Sequence, residues 1–162
     1  MDINNTLELE LRDGIVVIEL LPDLAPKHVA QIKHLVKEKF YDGLVFHRVI
    51  DGFMVQGGSP TGDGTGSITT TLSAEFSDEP HVRGICSMAR GPEVDSASCQ
   101  FFIVLEDSSF LNEQYTVWGK VISGMEFVDN IKKGNSADNG MVENPDKIIS
   151  MRLMADKEIK IV

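Results

Sequence analysis

Leu7, Leu9 and Leu11 alternate with Glu8 and Glu10, the period-two pattern of a strand buried on one face. Asp13-Gly14 reads as a hairpin turn leading into a second strand over residues 15–20. Val29, Ile32, Val36 and Phe40 recur at helical spacing behind Pro26, which suits a first helical turn. With Gly43 as a stop signal, this predicts a helix over residues 26–40. Two short apolar segments divided by Asp51-Gly52 lie between Leu44 and Gly58, and a glycine-rich loop poor in apolar residues follows. Further strands are expected at 85–89, 100–105, 117–122 and 148–154, with a short helix over 125–132 closed by Gly134. Many short strands with two helices predict a mainly β fold, one domain over residues 1–162. Periodicity alone does not choose between a barrel and a sandwich.

Composition narrows the functional classes. The formal net charge of −10 leaves no basic stripe to neutralise phosphates, so no nucleic-acid partner is expected. No apolar run approaches the roughly 18 residues of a membrane span, so no membrane partner is expected. The first residues carry neither a basic nor an apolar leader region, which with free Cys86 and Cys99 predicts a cytoplasmic protein. The two cysteines form no CxxC pair, and no metal or other cofactor is expected.

The stretch from Phe46 to Gly58, FHRVIDGFMVQGG, closely resembles the cyclophilin signature. So does Ser87-Met88-Ala89, followed by Gln100-Phe101-Phe102-Ile103. Val117-Trp118-Gly119-Lys120-Val121 resembles the family's late strand, and Gly124-Met125-Glu126 the start of its second helix. Four motifs in family order and at family spacing extend the resemblance over essentially the whole chain. It implies a closed eight-stranded antiparallel β-barrel capped by two α-helices, with a groove on its outer surface. It also implies peptidyl-prolyl cis-trans isomerase activity on proline-containing peptides and on unfolded or partly folded proteins. A monomer is expected.

Carried over position by position, Arg48 matches the catalytic arginine. Phe53, Met54, Phe102 and Leu111 match the lining of the proline pocket, and Gln56 and Gln100 match polar groups beside it. Ala89 and Arg90 match places where the family's backbone pairs with substrate, and Gly64 and Thr65 match a neighbouring subsite. Three departures stand out. Phe110 replaces a common tryptophan and so lacks an indole N–H, which implies weak cyclosporin binding. Tyr115 replaces a common histidine, as in bacterial-type relatives, and is matched to the groove edge. The loop from Arg90 to Ser98 is one residue longer than the common eukaryotic form.

Other chemistries find little support. Gly62-Asp63-Gly64-Thr65-Gly66 lacks the lysine of a phosphate loop and no strand-to-helix unit surrounds it. His28 and His34 lie six residues apart on different helix faces, and alternation turns His47 away from the groove. No nucleophile–base pair supports a hydrolase. The remaining alternative is a non-catalytic module that binds proline-containing peptides, for which loss of Arg48 or of the pocket aromatics would have argued.

Overall fold

The computed structural model describes residues 2–68 and 70–159. Eight strands form one antiparallel sheet: β1 (Thr6–Leu11), β2 (Gly14–Leu20), β3 (Arg48–Ile50), β4 (Met54–Gly57), β5 (Ile85–Met88), β6 (Phe101–Val104), β7 (Val117–Ser123) and β8 (Ser150–Leu153). Their order is β3-β4-β6-β5-β7-β2-β1-β8. The sheet curls so that the segments leading into its two outer strands meet across an irregular seam. There the Gly43 N–H donates to Ile148 O (2.7 Å), Ile148 N–H to Leu44 O (2.7 Å) and Phe46 N–H to Asp146 O (3.0 Å).

Among the described residues three α-helices accompany the sheet: α1 (Pro26–Lys37), α2 (Met125–Asp129) and α3 (Met154–Ile159). The sequence patterns anticipate α1 and α2 but run past their ends. Helix α1 stops at Lys37 rather than at residue 40 because Lys39 adopts a left-handed conformation (φ 60°). The Lys39 N–H then bonds to Val36 O (3.1 Å) and the Phe40 N–H to Leu35 O (3.0 Å). This is a Schellman closure, and Phe40 is its apolar clasp on the core rather than another helical turn. Helix α2 ends at Asp129, not 132, and Gly134 belongs instead to a loop lying along β3. Met154, expected to end a strand, begins α3, which the pattern did not anticipate.

The β1–β2 turn also lies one residue earlier than expected. Leu11 pairs with Gly14, leaving Arg12-Asp13 at the apex. Gly14 has a packing role: a Cβ there would sit 2.5 Å from the Phe127 ring.

Alternation on the strands divides two apolar bodies. The interior is filled by fully buried Leu7, Leu9, Ile18, Phe46, Phe101, Ile103 and Trp118, with Tyr41 packed edge-on to Phe101 (5.4 Å) and donating to Cys99 O (2.7 Å). The opposite face of β4, β5, β6 and β7 carries a separate cluster of Met54, Ile85, Phe102, Val104, Leu111 and Val117. Phe101 faces inward and Phe102 outward, as the alternation requires.

Candidate functional site

The site is assembled from a row of neighbours across four strands. Arg48 on β3 is paired with Gln56 on β4, Gln56 with Phe102 on β6, and Phe102 with Ser87 on β5. Directly paired residues of an antiparallel sheet share a face, so this register places Arg48, Gln56 and Phe102 side by side outside the barrel. Met54, two residues from Gln56, extends the same face.

Arg48 is half-buried and held by neutral acceptors. Its Nη1 donates to Gln56 Oε1 (3.1 Å), Nε to Asn139 O (2.9 Å) and Nη2 to Asn139 Oδ1 (3.1 Å). Burial lowers its pKa and the nearby Tyr115 opposes the shift, yet a guanidinium remains a cation at neutral pH. Gln56 Nε2 donates to Gln100 Oε1 (3.1 Å), and Gln100 Nε2 donates to Gly64 O and Gly66 O (both 3.0 Å). A line of hydrogen bonds therefore joins Arg48 to the glycine-rich loop.

Two adjoining cavities flank this line. A pocket of about 150 Å³ is lined by Arg48, Phe53, Met54, Phe102, Leu111 and Tyr115, together with Gln56, Ala89 and Arg90. A second, of about 320 Å³, takes Gly64, Thr65 and Gln100 into its wall and shares Gln56, Ala89 and Arg90 with the first. Arg90 contributes more than backbone: its guanidinium lies 4.8 Å from the Tyr115 ring centre and donates to Gln114 O from Nη2 (2.8 Å). Phe110 stands outside both cavities, 69% exposed, with its ring 5.3 Å from that of Phe53. The sequence-matched residues thus gather on one face, divided between a pocket that sets apolar side chains beside two arginines and a glutamine, a second cavity reaching the glycine-rich loop, and an aromatic rim.

Two residues in contact with the site were not singled out from the sequence. Asn139 supplies two of the three acceptors around Arg48, from 91 residues away. Buried His81 stacks against Phe102 (centroids 6.2 Å apart, planes at 20°) and is tied to Ser87 Oγ (3.0 Å) and Asn112 Oδ1 (3.2 Å). The Asn139-Gly140 dipeptide does signal a turn, but not which distant side chain the turn will meet.

Several other titratable groups are tied into the fold. In the loop, Asp63 accepts from both the Thr61 and Thr65 hydroxyls (2.6 Å) and from Thr65 N–H (2.9 Å), which brings its pKa down to about 2. His47 is buried beneath this loop, its pKa lowered chiefly by desolvation and then by Arg48. His28 is buried against Glu75 (2.6 Å). Cys86 and Cys99 are buried free thiols whose pKa values rise through burial. Among the described residues no cluster of His, Cys, Asp and Glu could hold a metal ion, and no helix is long and apolar enough to cross a membrane.

A family model described as cyclophilin type peptidyl-prolyl cis-trans isomerase/CLD matches residues 6–153. The chain belongs to this family. A probable peptidyl-prolyl cis-trans isomerase of Brucella suis is 55% identical, the match covering 96% of this chain and 85% of the relative. Peptidyl-prolyl cis-trans isomerase B of Bacillus subtilis is 46% identical, over 82% of this chain and 94% of its own. Among solved structures, a cyclophilin from Hirschia baltica superposes with a TM-score of 0.86 at 28% identity, covering 96% of this chain and 76% of that one. A cyclophilin type isomerase of Cryptosporidium parvum, crystallised in the presence of the dipeptide Ala-Pro, gives 0.83 at 26% identity, over 91% and 98% of the two chains. The cyclophilin-type isomerase activity expected from the motifs is thereby the activity of this chain, and eight antiparallel strands are its framework.

Proposed function

We propose that the isomerase seats a substrate proline ring in the 150 Å³ pocket and that Arg48 acts on the amide nitrogen of the bond that turns. The observation that carries this reading is the shared lining: the Arg48 guanidinium borders the same small pocket as Phe53, Met54, Phe102 and Leu111. The pocket fits an apolar ring, and a cation at its edge fits a lone pair that appears beside that ring.

Resonance sets the barrier to peptide rotation at about 18–20 kcal/mol. In the twisted transition state the amide nitrogen becomes pyramidal and gains a lone pair that the planar amide lacks. A hydrogen bond from Arg48 to that nitrogen forms only as the bond twists, so it stabilises the transition state selectively. A charged hydrogen bond contributes about 1.5–3 kcal/mol, whereas a five-decade acceleration needs about 7 kcal/mol. The balance comes from gripping the proline ring while the preceding carbonyl swings, and from excluding water around the less dipolar twisted amide. No nucleophile, metal or proton relay is required.

In the same reading the substrate backbone runs past Ala89 and Arg90. The Ala89 N–H already donates to Gln100 O (2.9 Å), which leaves its carbonyl for the substrate. The residue before the X–Pro pair lies towards Gly64 and Thr65. Substrates are exposed X–Pro segments of peptides and of unfolded or partly folded proteins, met in the cytoplasm by a monomer without a nucleic-acid partner. Recovery of the native protein in a secreted fraction would count against that compartment. Phe110 offers no N–H donor, so cyclosporin binds weakly; nanomolar inhibition would refute this.

The decisive experiment follows cis-to-trans relaxation of a short Ala-Pro peptide with wild type and Arg48→Ala. Loss of about two decades or more in kcat/KM is expected, the cost of about 3 kcal/mol in the transition state. A variant as fast as wild type would remove Arg48 from the mechanism.

A further inference from the structure

β3 is the outermost strand of the ladder, and a loop occupies its free edge. Val142 N–H donates to His47 O (3.0 Å), Val49 N–H to Gly140 O (2.8 Å) and Gly134 N–H to Val49 O (2.9 Å). The loop is closed on itself as well. Asp138 N–H and Gly140 N–H both donate to Asn135 O (2.9 and 2.8 Å), and the Asn135 side chain accepts from Ala137 N–H (2.9 Å). Between these ties sits Asn139 in the left-handed region (φ 56°), which asparagine tolerates better than most residues.

Held this way, Asn139 presents two acceptors to the guanidinium of Arg48, its carbonyl to Nε and its Oδ1 to Nη2. Gln56 takes one N–H of Nη1. Three of the five donors of the fork are therefore engaged, leaving one on each terminal nitrogen. Both partners are neutral amides, and among the described residues no carboxylate pairs with Arg48. The arrangement fixes the fork without neutralising its charge.

We propose that Asn139 is the positioning residue for Arg48, aiming its two remaining N–H donors into the pocket. The inference rests on the reading that Arg48 acts on the substrate amide, and it assigns Asn139 no contact with substrate. A guanidinium free to rotate would reach the twisted amide in only part of its conformations, so the effect appears in turnover rather than in affinity.

The test uses Asn139→Gly, which accepts the same backbone conformation and keeps the carbonyl while deleting Oδ1. NMR exchange measurements on an Ala-Pro peptide separate the on-enzyme interconversion rate from Kd. The expected result is a rate lowered about tenfold with Kd within about twofold. The Arg48 side-chain nitrogen resonances should also report faster rotation about Cζ–Nε. Asn139→Asp, which restores an acceptor, should recover the slow rotation and a rate above that of the glycine variant. The proposal is overturned if Asn139→Gly turns over at the wild-type rate, or slows while the Arg48 resonances stay unchanged. It is equally overturned if the aspartate variant is no better than glycine. A fully active Arg48→Ala would instead defeat the underlying reading, and the Arg48 resonances would still show independently whether Asn139 restrains the fork.

Discussion

An arginine with three filled and two open donors differs from any other cation that could stand at position 48. Lysine offers a single ammonium on a flexible stem, which cannot satisfy Gln56 and both oxygens of Asn139 while also facing the pocket. Arg48→Lys is therefore expected to lose nearly as much kcat/KM as Arg48→Ala, within about tenfold, despite keeping the charge. Peptide relaxation assays on both variants check this, and a lysine enzyme near wild-type speed would show that charge alone suffices. The place of Arg48 among the pocket-lining residues was legible in the sequence because its neighbours form a dense motif. Asn139 was not, because its partner is 91 residues away and its own surroundings, Asn135 to Gly140, say only that the chain turns. His81 was hidden for a related reason: nothing local shows that its ring will lie against Phe102.

Helix α1 begins without a cap of its own, since Ala25 has no side-chain acceptor. Glu75, from the long connection between β4 and β5, supplies the missing oxygens. Its Oε1 accepts from His28 N–H (2.8 Å) and from the His28 ring (2.6 Å), and its Oε2 accepts from Lys27 N–H (3.1 Å). A carboxylate at this helix terminus also complements the dipole. Burial works against ionisation of Glu75, but the bonds from His28 and Lys27 outweigh it and lower its pKa. Glu75→Gln leaves one oxygen for three donors and should cost about 1–2 kcal/mol. Denaturant unfolding measures this, and an unchanged midpoint would show that the cap contributes nothing. Strand positions were readable from alternation, but element ends were not. The apolar side chain at Phe40 continues the helical period while its backbone has already left the helix. The seam of the sheet lies in segments with no ladder of their own, so the pattern carries no sign of it.

The molecule as a whole buries three imidazoles: His28, His47 and His81. Desolvation is the leading cause of a lowered pKa at each, so the fold holds them neutral. An unfolded chain takes up those protons below about pH 6.5 while the folded chain resists, so stability falls as acid is added. Carboxylates held low by partners, Asp42 by Arg152 and Asp129 by Arg83, lose their contributions only below the ordinary carboxylate range. Calorimetry should find a nearly constant Tm between pH 7 and 8 and a progressive decline from about pH 6.5 towards pH 5. A Tm that holds or rises over that interval would contradict the burial of neutral histidines.

The two apolar bodies divided by the sheet give the chain a kind of evolutionary freedom. Residues such as Val55 and Ile103 answer to folding, whereas Met54 and Phe102, one position away on the same strands, answer to the pocket face. Selection can therefore rewrite the outward positions of β4 and β6 in small steps without dismantling what the inward positions hold together. A lineage of such chains can diversify in what it grips while inheriting one unaltered interior.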